Sequence, residues 1–325
     1  MDGHPEAQLL ESIAREHEER TPSRAATVLG DAIRARHAGA VVGILFYGSC
    51  LRRGVEEGVH DFYVLVDSYR AAYPGLRLRF LNWLLPPNVF YLEAHDAGRV
   101  YRAKYAVISI EDFAKTTAPR SLHPYVWARF AQPSLLVWAR EPQSRPQVYA
   151  WLGQACITMV QCLSVFMPAH GPRQRYSLAA LWHEALRRTY SAELRGEQPE
   201  TIRQLYEVDA RRYDEIARLA LRVLASEGVL DSVEERGGAG ETHRRQSAIS
   251  WGRWRWHLAR PIAKSLAFVR LLKSATTFGD WLPYILWKVE RHSGQKVEVT
   301  DRQRKHPILL GLPVLVRLVR QGILR

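Results

Sequence analysis

The chain has 325 residues, 47% of them hydrophobic and 24% charged, with a formal net charge of +13. This length allows two modest domains, each with its own core, and the composition excludes a disordered or disulfide-built protein. The cysteines are Cys50, Cys156 and Cys162, without the spacing of a zinc site, so a reducing compartment is expected. The acidic stretch 1–20 lacks the apolar region of a signal peptide, which predicts neither export nor organelle import.

The basic charge is concentrated at the C-terminal end of the chain. Residues 241–325 carry 17 Lys and Arg against 5 Asp and Glu, a surplus of 12 that accounts for nearly all of the net charge. Such a segment predicts contact with an anionic partner, either a lipid surface or a nucleic acid.

In chain order, the first half predicts helices followed by short strands. Apolar residues recur at helical spacing over 5–38, with a break at 21–23. The β-rich run 40–47 ends in Gly48-Ser49, and a second predicted strand covers 61–67. A helix over 76–85 should stop at Pro86-Pro87, and further short strands are predicted over 88–93, 99–104 and 105–109.

The second half predicts helices, a linker and a basic segment. Helical periodicity covers 147–167 and 178–225, with a break near 196–199, whereas the polar, Gly-rich stretch 226–250 is typical of a flexible linker. From Trp251 onward aromatic, basic and aliphatic residues alternate without ~20 uninterrupted apolar residues, which favours amphipathic helices at a membrane interface over a spanning helix.

These patterns predict an α+β protein with a mixed β-sheet domain, an all-α domain and a basic amphipathic end. The predicted division is a catalytic domain over 1–140, a helical domain over 141–230, a linker over 231–250 and a Trp-rich, membrane-associating segment over 251–325.

The strongest chemical signal is the turn Gly48-Ser49 followed by two acids. Gly48 allows a tight turn, and Ser49 offers a hydroxyl and an amide to an anion. Asp61 and Asp67 are an even number of residues apart, so they would project from one face of a strand and could hold Mg²⁺. The alternative is that the two acids only begin and end the strand.

This arrangement resembles the nucleotidyltransferase superfamily, in which Gly-Ser is followed by an Asp-x-Asp/Glu pair. Here Tyr63 stands at the second acid position. The second metal ligand would therefore be Asp67, or one of the other acids Glu56, Glu57, Glu93 and Asp96, or metal binding would be lost.

Four segments in order carry a narrower resemblance: Phe46-Tyr-Gly-Ser49, Val59-His-Asp-Phe62 with Val66-Asp67, Lys104-Tyr-Ala-Val-Ile-Ser109, and Val126-Trp-Ala-Arg-Phe-Ala-Gln-Pro133. They resemble the mitochondrial-type CDP-diacylglycerol synthases, the phosphatidate cytidylyltransferases of the translocator assembly and maintenance family, as a distant bacterial branch. The resemblance implies a nucleotidyltransferase fold and Mg²⁺-dependent conversion of CTP and phosphatidate to CDP-diacylglycerol and pyrophosphate.

The resemblance also implies roles for individual residues. Gly48 and Ser49 would bind the triphosphate, Asp61 and Asp67 would bind Mg²⁺, and Lys104 would bind the nucleotide and neutralise phosphate charge in the transition state. Arg129 would hold a substrate phosphate or form a structural salt bridge. His60 should point to the opposite face of its strand and take no part in catalysis.

The expected partners are CTP, phosphatidate and an anionic membrane surface contacted through 251–325, without a stable nucleic-acid partner. The expected location is the cytoplasm of a bacterium, peripherally bound to the inner membrane. Two other functions stay open: nucleotidyl transfer to a different acceptor, and an inactive module of this fold that binds membrane or nucleic acid through its basic end.

Overall fold

The structure is a computed structural model that describes residues 4–121, 123–170, 173–193, 198–236 and 239–277. The helices in these ranges are α1 (Pro5–Glu19), α2 (Arg24–His37), α3 (Ser49–Arg53), α4 (Tyr69–Ala72), α5 (Leu76–Leu84), α6 (Ile110–Thr117), α7 (Trp127–Phe130), α8 (Ser144–Leu163), α9 (Leu178–Ala192), α10 (Pro199–Glu207), α11 (Ala210–Ser226) and α12 (Gln246–Thr277). The strands are β1 (Val41–Tyr47), β2 (Val59–Val66), β3 (Asn88–Asp96), β4 (Arg99–Ser109), β5 (Ser134–Ala139), β6 (Ala169–His170), β7 (Arg173–Ser177), β8 (Ser232–Arg236) and β9 (Ala239–His243). The predicted α+β class is confirmed.

The first sheet is mixed and has the strand order β3-β4-β2-β1-β5. β1 runs antiparallel to β2 and β5, β2 runs parallel to β4, and β4 runs antiparallel to β3. Alternating residues divide between two hydrophobic cores, so that Tyr63 and Leu65 face one side while Phe62 and Val64 face the other. The two strands predicted over 99–109 are one continuous strand, β4.

The helical region packs on one face of this sheet and shares its core. Leu45 of β1, Met159 of α8, Trp182 of α9 and Leu224 of α11 belong to one contiguous buried cluster. The opposite face is covered by α2, whose Leu29 is fully buried. The predicted catalytic and helical regions are therefore joined by a common core rather than by a thin interface. In the described part of the chain, one helical stretch, Ser144–Phe166, is long and apolar enough to cross a membrane, and 72% of its apolar window is buried inside the protein.

A second sheet lies where a linker and an all-α region were predicted. Its strand order is β6-β7-β9-β8, and β9 pairs with β7 from Arg173↔His243 to Ser177↔Ala239. The polar stretch folds because β8 and β9 form a hairpin and β9 buries Thr242 beside Gln174 of β7. Gly240, one of the glycines that predicted a linker, lies within β9, where it pairs with Tyr176 of β7 and Glu235 of β8.

Helix α12 connects the second sheet to the first one. Its Trp256 is buried near Trp127, with ring centroids 6.4 Å apart. At its C-terminal end, Thr277 Oγ1 donates to the carbonyl of Val89 at 2.9 Å, and Lys273 Nζ donates to the carbonyl of Pro87 at 2.7 Å. The first part of the predicted membrane-associating segment is thus a helix docked on the protein, and residues 278–325 lie outside the described residues.

Candidate active site

The site is built around the turn that joins β1 to α3. Gly48 ends the strand with φ +91°, a conformation that side-chain-bearing residues rarely adopt. A Cβ at this position would meet Oδ2 of Asp61 at 2.8 Å. Glycine is therefore required both for the backbone conformation and for the space it leaves. Because Gly48 has no side chain, the Asp61 carboxylate can lie against the turn. Ser49, at the start of α3, is exposed beside it.

Strand register places the predicted lysine next to this aspartate. Tyr47 pairs with Asp61, Asp61 pairs with Lys104, and Lys104 pairs with Tyr91. Because side chains at paired positions of neighbouring strands share a face, these four residues form a row across four strands, which we call the polar row. Ser134 of β5 pairs with Tyr47 and extends the row by one strand.

The two charged side chains of the polar row have no partner in the part of the chain that the structure describes. Asp61 and Lys104 are both partly buried, and neither side chain makes a hydrogen bond or ion pair with any described residue. A carboxylate can bind a cation and an ammonium can bind a phosphate. Side by side and next to Gly48, the pair is suited to a ligand that carries both phosphate groups and a metal ion.

Asp67 lies at the other end of β2, and the structure does not bring it to the polar row. It follows Val66, the last residue of the strand, and its carboxylate pairs with Arg140 at 2.6 and 3.2 Å. Five strand residues lie between it and Asp61, and the six residue steps span about 20 Å. One Mg²⁺ cannot be bound by both carboxylates, so the prediction of a shared ion is wrong. Equal strand parity does not report how far apart two residues of one strand lie.

The other acids considered as a second ligand also have arginine partners or lie apart. Glu56 pairs with Arg99 at 3.4 Å, Glu93 with Arg102 at 3.1 Å and Asp96 with Arg24 at 2.9 Å. Glu57 is exposed in the loop before β2. Within the described ranges, no three His, Cys, Asp or Glu side chains cluster as a metal site. The residues fit a Mg²⁺ held by Asp61 together with substrate phosphates and water, the arrangement that this ion commonly adopts.

Arg129 takes the structural role that was its alternative. Its Nη2 pairs with Oε2 of Glu193 at 3.0 Å, and its Nη1 donates to the carbonyl of Tyr125 at 2.5 Å. The guanidinium also lies 5.7 Å from the ring centroid of Tyr47 and 3.4 Å from the hydroxyl of Tyr63. Both terminal nitrogens of Arg129 therefore bind protein groups. The guanidinium also lies beside Tyr47, a member of the polar row.

His60 lies on the opposite face of β2, as its parity predicts. Its ring is fully buried and stacks on Phe46 with centroids 5.4 Å apart. Burial lowers the pKa of His60, so the ring is held neutral among apolar neighbours.

The sequence did not reveal Tyr47 and Tyr91 of the polar row, or Glu193 as the partner of Arg129. Tyr47 has a usable signal, because it directly precedes the Gly48 turn. Tyr91 and Glu193 have none, because the first depends on the register of three strands and the second is 64 residues from Arg129.

No family model and no curated protein matches the chain. Among solved structures, the chain is similar to a nucleotidyltransferase-like protein from Exiguobacterium sibiricum, with 12% identity over 92% of each chain and a TM-score of 0.26. That TM-score is too low to support an assignment.

Proposed function

We propose that the polar row and the Gly48-Ser49 turn catalyse nucleotidyl transfer from a nucleoside triphosphate. The observation that carries this proposal is the pair formed by Asp61 and Lys104, which lack partners in the described ranges and adjoin a turn that excludes a Cβ. Nucleotidyl transfer needs a carboxylate for the metal, a cation for the phosphates and close backbone approach to the triphosphate. The three requirements meet within this one site.

Each residue has a role that follows from its position. Ser49 offers its hydroxyl and backbone amide to the triphosphate at the exposed end of the turn. Lys104 binds phosphate oxygens and stabilises the charge that develops on them. Asp61 would hold Mg²⁺, which supplies Lewis-acid polarisation of the phosphates when bound. Arg129 contacts the ring of Tyr47, a member of the row, and would help to position it.

For the substrates we propose CTP as the nucleotide donor and phosphatidate as the acceptor. This part rests on the four-segment resemblance, of which Gly48, Ser49, Asp61 and Lys104 are the residues that meet in the structure. An acceptor that is already an ionised phosphate needs no general base, in keeping with a row that contains no histidine.

We propose further that a lipid acceptor is reached from an anionic membrane surface, with the protein bound peripherally to the inner membrane of a bacterium. Two tryptophans of α12 support this: Trp251 is 61% exposed, Trp254 is 52% exposed, and their rings stack at 4.8 Å. Exposed tryptophan next to basic residues is typical of helices at a membrane interface.

The test is pyrophosphate release by purified protein with Mg²⁺ and phosphatidate in mixed micelles, comparing CTP with ATP, GTP and UTP. We expect release that requires phosphatidate and is fastest with CTP. Asp61→Asn should abolish it, and Asp67→Asn should not. Release with another donor or acceptor would contradict the proposed substrates but not nucleotidyl transfer. Silence with every nucleotide would overturn the proposal and favour an inactive binding module.

A further inference from the structure

A cavity lies between α12, α8 and α7, away from the polar row. Its volume is about 170 Å³, and its lining includes Trp127, Cys162, Arg244, Trp251, Arg255 and Trp256. Trp127 and Trp256 are almost fully buried, whereas Trp251 is 61% exposed. The cavity therefore has a buried aromatic wall and an opening to solvent.

Arg244 is the unusual residue of this cavity. It sits between β9 and α12, and only 4% of its surface is exposed. Among the described residues, its Nε and Nη2 have no hydrogen-bond partner and no Asp or Glu lines the cavity. Burial lowers the pKa of Arg244, as expected for a cation removed from water without an anion beside it. A buried, uncompensated guanidinium destabilises the protein unless something binds it.

Two further donors surround the same space. The indole Nε1 of Trp127 is buried and has no hydrogen-bond partner in the described ranges. Arg255 lies on the α12 side, where it donates to the carbonyls of Pro119 and Ser121. Arg244, Arg255 and Cys162 line the same cavity, and the two arginines oppose the rise that burial causes in the pKa of the Cys162 thiol. The cavity therefore has hydrogen-bond donors from Arg244, Arg255 and Trp127, two positive charges, and aromatic rings beside them.

We propose that this cavity binds a phosphate monoester that carries an apolar group, with the phosphate on Arg244 and the apolar group against the tryptophans. Arginine binds phosphate through parallel N–H···O bonds, and a phosphate has enough oxygens to accept from several donors. The aromatic wall contributes apolar contact that inorganic phosphate cannot use. This proposal is independent of nucleotidyl transfer, because none of its residues belongs to the polar row.

The test uses octyl phosphate below its micelle-forming concentration, with inorganic phosphate and octanol as comparisons. Binding is followed by tryptophan fluorescence and by the thermal unfolding midpoint of the full chain. We expect saturable binding of octyl phosphate, at least about tenfold weaker binding of inorganic phosphate, and none of octanol. Phosphatidate vesicles, compared with octyl phosphate at equal phosphate concentration, distinguish a membrane-held headgroup from a soluble ester.

The decisive variant is Arg244→Met, which replaces the cation by an apolar side chain of similar length. It should raise the unfolding midpoint of the free protein, because an uncompensated charge is removed, and reduce the affinity for octyl phosphate at least about tenfold. Arg260→Met is the matched control, since Arg260 is exposed on the same helix and outside the cavity. It should leave both quantities unchanged.

Three results would overturn the proposal. Wild-type protein that does not bind octyl phosphate at millimolar concentration would refute it without any variant. Octanol that binds as tightly as octyl phosphate would show a purely apolar cavity. Undiminished octyl phosphate binding by folded Arg244→Met would remove the assigned phosphate ligand.

Discussion

The carboxylate of Asp61 lies against the backbone of Gly48, so close that a Cβ at position 48 would meet Oδ2 at 2.8 Å. The turn that would receive the triphosphate and the carboxylate that would hold its metal ion are therefore in contact. A substitution at Gly48 is therefore expected to displace the Asp61 carboxylate. This coupling makes it possible to distinguish a loss of activity caused at the site from one caused by general loss of stability.

Gly48→Ala tests this coupling. The new methyl group must displace the Asp61 carboxylate, and alanine at φ +91° and ψ −164°, a backbone region essentially restricted to glycine, adds strain of about 1–3 kcal/mol. We expect a loss of unfolding free energy of that size and a loss of pyrophosphate release greater than about 100-fold. Gly54→Ala is the matched control, because Gly54 has φ +61° but a Cβ added there would have nothing within 4 Å. Because Gly54 is in the left-handed helical region, its replacement should cost about 1–2 kcal/mol of stability and keep activity. Equal activity in the two variants would contradict the coupling.

Asp61→Asn against Asp67→Asn tests which carboxylate serves the reaction. The Asp61 side chain has no partner within the described ranges, so Asp61→Asn should leave the urea denaturation curve unchanged. It should lower kcat/KM at least about 100-fold. Asp67 forms a half-exposed ion pair with Arg140, worth about 0–1 kcal/mol of stability. Asp67→Asn should therefore keep activity. An inactive but folded Asp67→Asn would restore the sequence prediction that the structure rejects.

Lys104→Met tests the phosphate-binding cation. The side chain makes no described hydrogen bond or ion pair, so its replacement should not lower the unfolding midpoint. It should raise KM for the nucleotide and lower kcat, together at least about 100-fold in kcat/KM. Lys115→Met, which removes an exposed lysine paired with Glu111, is the control and should keep both kinetic parameters. Unchanged kinetics in Lys104→Met would remove this residue from the site.

The sequence predicted the elements of the site better than their arrangement. Gly48 and Asp61 could be found because a glycine turn after a strand, followed by an acid, is a local pattern. The same local reasoning failed for Asp67, since parity along a strand reports the face and not the distance. The neighbour relation between Asp61 and Lys104 depends on the parallel pairing of β2 with β4, which no local pattern encodes.

Outside the site, long-range packing decided what composition could not. The stretch 231–250 is polar and rich in glycine, yet β9 pairs with β7 over five residue pairs and becomes part of a sheet. The first part of the segment predicted to associate with a membrane, 251–325, belongs to helix α12, where Lys273 binds the carbonyl of Pro87 and Thr277 that of Val89 in β3. Hydrogen bonds to distant backbone are invisible in a one-dimensional pattern.

Glu193→Gln tests whether Arg129 is structural. The pair is buried, with 8% and 10% side-chain exposure, and removal of one partner leaves a buried charge. We expect a loss of about 3–5 kcal/mol in the free energy of unfolding, measured by urea denaturation. At a temperature where the variant is folded, KM for the acceptor should stay unchanged, because Arg129 touches protein groups. A KM increase without a loss of stability would instead assign Arg129 to a substrate phosphate.

His17 should make the protein sensitive to acid. Its ring is 6% exposed, Nδ1 accepts a hydrogen bond from the Leu136 amide at 2.8 Å, and burial, followed by nearby arginines, lowers its pKa from 6.5 to about 3. The unfolded chain therefore binds a proton below pH 6.5 that the folded protein refuses until about pH 3. Stability from this residue is complete above pH 6.5 and falls by about 1.4 kcal/mol for each pH unit below it.

The measurement is urea denaturation of wild type and His17→Gln between pH 7 and 4.5. Glutamine can accept from the Leu136 amide but does not titrate, so wild type should lose about 2.5 kcal/mol relative to the variant across this range. His4→Gln, at an exposed position before α1, is the control and should keep the wild-type slope. Parallel curves for wild type and His17→Gln would show that the ring gains its proton without cost to the fold, contrary to its burial.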